Sequence, residues 1–155
     1  MQRISDPLEL LTAQHASIQG LLLRAKEAED PKLRTDLVGE LAAYITAHLA
    51  IEQEVFYVQR SVTLSSVVHL EVLAEHTEIK RVLADLLWLD ADDDRFEHTL
   101  AALAGLVEGH AAWQDEELFP TVAETASAAV LVELGAQLQS AFEGVYGSVG
   151  LALAA

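Results

Sequence analysis

Apolar residues recur along this chain three and four positions apart, and no stretch alternates cleanly in period two. That pattern predicts helices throughout. Leucine and alanine fill the repeats, and both suit helix interiors. Asp6-Pro7 reads as an N-cap followed by proline at the first helical position, opening a helix that runs to about Glu29. Asp30-Pro31 stops it, and a second helix spans about Lys32 to Val58. The β-branched and serine stretch from Ser61 to Ser66 is the next break. Ser65 or Ser66 then caps a third helix that reaches about Leu89. The acidic run Asp90 to Asp94 reads as a turn and an N-cap source for a fourth helix, which ends near Leu118, before Pro120. A shorter fifth segment covers about Ala123 to Phe142, and the apolar tail Gly147 to Ala155 docks or frays. Short connections force neighbouring helices to run antiparallel. The expected class is therefore all-α: an up-down-up-down four-helix bundle with an additional C-terminal helix, in one domain. The bundle takes about residues 7–120, and the C-terminal helix and tail about 121–155.

Composition narrows the function classes. With 155 residues and 52% apolar content, the chain can bury a real core. The 25 acidic residues against 9 basic ones give a formal charge of −16, which argues against nucleic acid and anionic lipid as partners. There is no cysteine, so disulfides, thiolate nucleophiles, cysteine-zinc sites and iron–sulfur clusters are excluded. Met1 to Pro7 lacks the apolar stretch of a secretory signal, and no apolar run approaches the length of a spanning helix. A cytoplasmic location is the expectation. No GxxxxGK[ST] or GxGxxG phosphate motif is present.

The candidate chemistry lies in the histidines. Six are present: His15, His48, His69, His76, His98 and His110. One lone histidine on an apolar helix face is ordinarily a satisfied core or boundary residue. Four of these, however, fall one per helix at a common level. His15 lies about 14 residues before the first helix ends and His48 about 16 after the second begins, so both stand about 21–24 Å from their shared turn. The same counting brings His76 level with His48, and His110 level with His76, within about one helical turn. Four buried neutral imidazoles in one layer need partners, and a metal ion is the cheapest common one. His48-Leu49-Ala50-Ile51-Glu52 adds a carboxylate on the same face as His48, because residues four apart differ by about 40° around a helix. His110 and Gln114 repeat the spacing. Imidazole nitrogen with carboxylate oxygen inside a bundle suits iron or manganese. Iron oxidases of the ferritin class fit less well, because the Glu-x-x-His pairs they use are missing: Leu73 and Val107 stand at that offset.

Taken in order, His15, His48-x-x-x-Glu52-x-Glu54, Phe56-Tyr57, Ala74-Glu75-His76 and the run His110 to Pro120 containing Glu116-Glu117-Leu118-Phe119-Pro120 resemble the hemerythrin-like, or HHE cation-binding, domain family. The resemblance covers about residues 7–120. It implies a non-haem di-iron, oxo-bridged centre inside a four-helix bundle. It carries iron ligation onto His15, His48, Glu52, His76 and His110, with Gln114 at the place of a bridging glutamate. Dioxygen or hydrogen peroxide is the implied partner, for binding, sensing or catalase-like decomposition, in a monomer or homodimer.

Two departures qualify this. Gln114 is neutral and a poor bridge, and Val72 and Lys80 leave the third helix without a second histidine. Asp115 is an alternative ligand, although in an α-helix it points about 140° away from His110. Tyr44, one turn before His48, is the candidate to fill an open position, against the simpler reading of a hydrogen-bonded core tyrosine. Glu54, Glu75 and Glu78 read as solvated or supporting groups. His69 reads as a boundary residue, His98 has no partner, and Trp88, Trp113 and Phe119 read as packing groups. The alternative to di-iron chemistry is a metal-poor or mononuclear bundle acting as a regulatory or interaction module.

Overall fold

The structure, a computed structural model, describes residues 6–154, with side chains through residue 149. Met1 to Ser5 and Ala155 lie outside the described residues, and with them most of the segment considered for a secretory signal. The helices are α1 (Pro7–Glu27), α2 (Pro31–Ile51), α3 (Ser66–Trp88), α4 (Phe96–Trp113), α5 (Phe119–Thr125) and α6 (Ala128–Ala154). The chain is all-α, and α1 to α4 form the expected bundle, each packing on its neighbours in the ring.

Local chemistry sets most of the boundaries. The Asp6 carboxylate accepts from the Leu8 amide at 2.8 Å, and Pro7 follows where a missing N–H costs nothing. Asp30 and Pro31 repeat the arrangement for α2, with the Leu33 amide at 2.9 Å. Ser65 caps α3 through the Val68 amide at 3.2 Å. The acidic run does not cap α4: the residue before it is Arg95, and Asp93 instead accepts from the Arg95 amide and guanidinium, at 2.8 Å and 3.0 Å.

Two five-residue π-helical turns, Glu52–Phe56 and Gln114–Leu118, interrupt the regular helices. Each begins at the second member of a histidine–acid or histidine–amide pair, Glu52 after His48 and Gln114 after His110. The Tyr57 amide reaches the Glu52 carbonyl five residues back at 2.8 Å, and the Phe119 amide reaches Gln114 in the same way. The wide turn also lets the chain pass Pro120. It sits in the first turn of α5, where its lost N–H is tolerated, so helical structure continues to Thr125 instead of stopping near Leu118.

The fifth segment is longer than expected. α6 begins at Ala128 and runs 27 residues to Ala154, taking in the tail from Gly147. It packs on α1 and α2 through Leu134 and Leu138, which are 1% and 0% exposed, and through Phe142 and Tyr146, whose rings meet Tyr44. Trp113 and Phe119 pack as expected, but Trp88 is 89% exposed at the end of α3.

The apolar interior falls into two clusters. One, including Ile18, Leu41, Ile45, Ile79, Leu86, Phe96 and Leu103, fills the end that holds the α1–α2 and α3–α4 connections. The other, including Leu11, Ile51, Phe56, Val72, Phe119 and Leu138, fills the opposite end beneath α6. Between them lies one polar layer. Gln14, His15, His48, Glu52, His76, His110 and Gln114 are the buried polar and charged residues among those described.

Leu138→Ala is expected to destabilise the fold by about 3 kcal/mol, from lost burial plus the cavity left behind. Urea denaturation measures this. A loss under about 1 kcal/mol would mean that α6 is not part of the core.

Candidate metal centre

Glu52 stands at the centre of the polar layer, fully buried. Its two carboxylate oxygens face different pairs of imidazoles. Oε1 lies 2.7 Å from His48 Nε2 and 3.9 Å from His15 Nε2. Oε2 lies 3.0 Å from His76 Nε2 and 2.9 Å from His110 Nε2. His15, His48 and Glu52 thus form one group able to hold a metal ion, and Glu52, His76 and His110 form a second. Donors about 2.1 Å from one ion and at right angles to each other stand roughly 3 Å apart, close to these separations.

The hydrogen bonds around the first group leave a lone pair of His48 facing one of Glu52. His48 Nδ1–H donates to Gln14 Oε1 at 2.7 Å, and His15 Nδ1–H donates to both Asp115 oxygens at 3.2 Å. A neutral imidazole carries one ring proton, so Nε2 of His48 is then bare. His15 Nε2 points at the carbonyl oxygen of Gln114 at 2.8 Å. His48 Nε2 and Glu52 Oε1, although 2.7 Å apart, lack hydrogen-bond geometry, and both atoms are buried without a partner. A cation between these atoms would satisfy all of them, and this donor set suits a metal ion.

Electrostatics agrees with that picture. Burial lowers the His48 pKa despite the neighbouring Glu52, which keeps the ring neutral. Burial alone would raise the Glu52 carboxyl, but His48 and His110 outweigh it and hold it well below the usual carboxylate range. At His110 burial opposes the charge, yet Glu52 and Glu75 outweigh it and raise the pKa to about 10.

The fold matches a crystal structure of a hemerythrin HHE cation-binding domain-containing protein from Mycobacterium kansasii. The TM-score is 0.79 and the sequence identity 25%, covering 92% of this chain and 88% of that one. The chain folds as a hemerythrin-like domain. No protein-family model and no curated protein matches the sequence.

Within this hemerythrin-like domain, the six residues singled out from the sequence (His15, His48, Glu52, His76, His110 and Gln114) all meet in the one buried layer. Other expectations are revised. Tyr44 is not at the centre: its ring packs against Phe142 and Tyr146, with centroids 5.0 Å and 5.6 Å away. The tyrosine at the centre is Tyr57. Its hydroxyl donates to Glu52 Oε2 at 3.3 Å and accepts from Gln114 Nε2 at 2.5 Å. In an α-helix residues five apart point about 140° away from each other, and the π-helical turn brings Tyr57 back over Glu52. Burial pushes its phenol pKa far upward, and Glu52 adds to this, so the hydroxyl stays protonated.

Asp115 does not face the interior donors but grips the outer nitrogen of His15, and Thr12 Oγ1–H donates to it at 2.7 Å. Gln14, absent from the sequence reading, plays the same part for His48. Glu75 stands 3.6 Å from His110 Nδ1, Glu78 pairs with Arg81, and Glu54 is exposed. His69 is half-buried away from the layer, His98 is exposed, and Val72 packs in the core.

Glu52→Ala removes the carboxylate common to both groups and is expected to abolish metal binding at both. His48→Ala and His110→Ala are each expected to lose the metal of the group they belong to, and His98→Ala none. Metal per chain by plasma emission checks this, and equal content in all four variants would overturn the assignment.

Proposed function

We propose that this chain is a non-haem di-iron protein that binds or reacts with dioxygen or hydrogen peroxide. The observation that carries the reading is the division of Glu52, one oxygen toward His15 and His48 and the other toward His76 and His110. A single bridging carboxylate with two imidazoles on each side is a set of donors for two neighbouring ions. Each half also has one neutral oxygen: Gln114 Oε1 beside His15, and the Tyr57 hydroxyl beside Glu52 Oε2. Four histidines, few carboxylates and no thiolate favour iron over calcium or magnesium. Iron bound there would supply the electrons that dioxygen or peroxide chemistry needs.

The protein's own contribution is enclosure. The layer is sealed between two apolar clusters, and His15, His48 and His110 share a cavity of about 10 Å³ with Ile18, Ile45, Leu49, Ile79 and Val107. So small a space, with mostly apolar walls, has no room for bulky reductants or substrates. The Tyr57 hydroxyl holds a proton against Glu52 inside this enclosure. Catalase-like turnover of peroxide is the enzymatic form of this proposal. The acidic surface fits a protein that does not engage nucleic acid, and no described helix is long and apolar enough to cross a membrane.

Gln114 supports a second reading. Its NH2 group donates to Tyr57, so only its carbonyl oxygen faces a metal position, and Glu52 is left as the one anionic bridge. A chain that keeps one ion or none would serve as a regulatory or interaction module. Iron analysis after iron-supplemented expression separates the two. The di-iron reading expects about two irons per chain, a near-ultraviolet spectrum that changes with peroxide, and gas release if turnover occurs. One iron or fewer, with a spectrum indifferent to peroxide, would overturn it.

A further inference from the structure

The two halves of the centre are not equally prepared for an ion. In the first half both imidazoles are held from behind, His48 by Gln14 and His15 by Asp115, which Thr12 in turn holds. His48 Nε2 is without a partner 2.7 Å from Glu52 Oε1, and His15 Nε2 meets Gln114 Oε1 at 2.8 Å. In the second half the outer nitrogens have no hydrogen-bond partner among the described residues. His76 Nδ1 is buried with nothing to bond, and His110 Nδ1 lies 3.6 Å from Glu75, outside hydrogen-bond contact. The Nε2 atoms of this pair are instead engaged with Glu52 Oε2, at 3.0 Å and 2.9 Å.

An ion entering the first half displaces one hydrogen bond, that between His15 Nε2 and Gln114 Oε1, and meets imidazoles whose outer nitrogens are already held. An ion entering the second half must displace two hydrogen bonds to Glu52 and leaves His76 with an outer N–H that has no acceptor. Partners on the outer nitrogen of a ligating histidine typically change metal affinity by about 10–100-fold. We infer that the two positions load in sequence: a tight one at His15, His48, Glu52 and Gln114, and a weaker, exchangeable one at His76, His110 and Glu52. Gln14 and Asp115 act as positioning residues for the tight position. This rests on the two-ion reading of the site but not on any reaction with oxygen species.

The test is an anaerobic titration of the metal-free chain with Co(II), followed by visible absorption and calorimetry. Two steps are expected, with dissociation constants at least about tenfold apart. His15→Ala should remove the tight step, and His76→Ala should keep the tight step and lose the weak one. Gln14→Leu should weaken the tight step by about 10–100-fold, and Gln14→Glu, which keeps an acceptor for His48, should restore it. Circular dichroism confirms that each variant is folded. Equal steps, or a tight step that survives His15→Ala and disappears in His76→Ala, would overturn the proposal. The outcomes separate from those of the functional reading. A chain that loads unequally yet ignores peroxide refutes the function alone, and one that consumes peroxide with two equal ions refutes the sequence of loading alone.

Discussion

A carboxylate buried in the middle of a helical bundle organises this molecule. Removing the Glu52 charge from water is costly unless it is paired and hydrogen-bonded. The fold answers by aiming four imidazoles at it, one from each bundle helix. Those imidazoles must in turn be level with one another, and that requirement fixes the relative heights of α1 to α4. The apolar clusters above and below supply the drive to fold, roughly 1.5–3 kcal/mol for each large side chain buried. The polar layer contributes little of that drive. It makes one register of the four helices better than those one turn away, because a shifted helix would strand its histidine among leucines.

The two π-helical turns belong to the same constraint. Each begins at the residue that faces the centre, Glu52 or Gln114, four positions after a histidine. Widening the turn at that point re-aims the following residues. Tyr57 comes back to Glu52, and Asp115 comes round to the outer face of His15. Departures from regular helix hydrogen bonding often accompany functional sites, and here the departure supplies two contacts that a regular helix would direct elsewhere.

Much of this was legible before the structure. Caps at Asp6, Asp30 and Ser65 mark three helix starts. Short connections make axial height a matter of counting residues, so the common level of His15, His48, His76 and His110 could be read from spacing. What escaped was decided by geometry that spacing does not encode. A π-helical turn has no sequence signal of its own, so Tyr44 looked nearer to the centre than Tyr57. Gln14 carries a side chain that is ordinary on a solvent face, and only its neighbour His15 hinted that it points inward. Tryptophan is usually buried in large part, so the sequence predicts packing for Trp88, but α3 ends there and the ring is exposed.

The central claim is that Glu52 is shared by two metal positions. Anomalous diffraction at the iron edge from crystals of the iron-loaded chain tests it most directly. The account predicts two peaks about 3.5–4 Å apart, one on the His15–His48 side of Glu52 and one on the His76–His110 side. A single peak, or peaks away from Glu52, would contradict it.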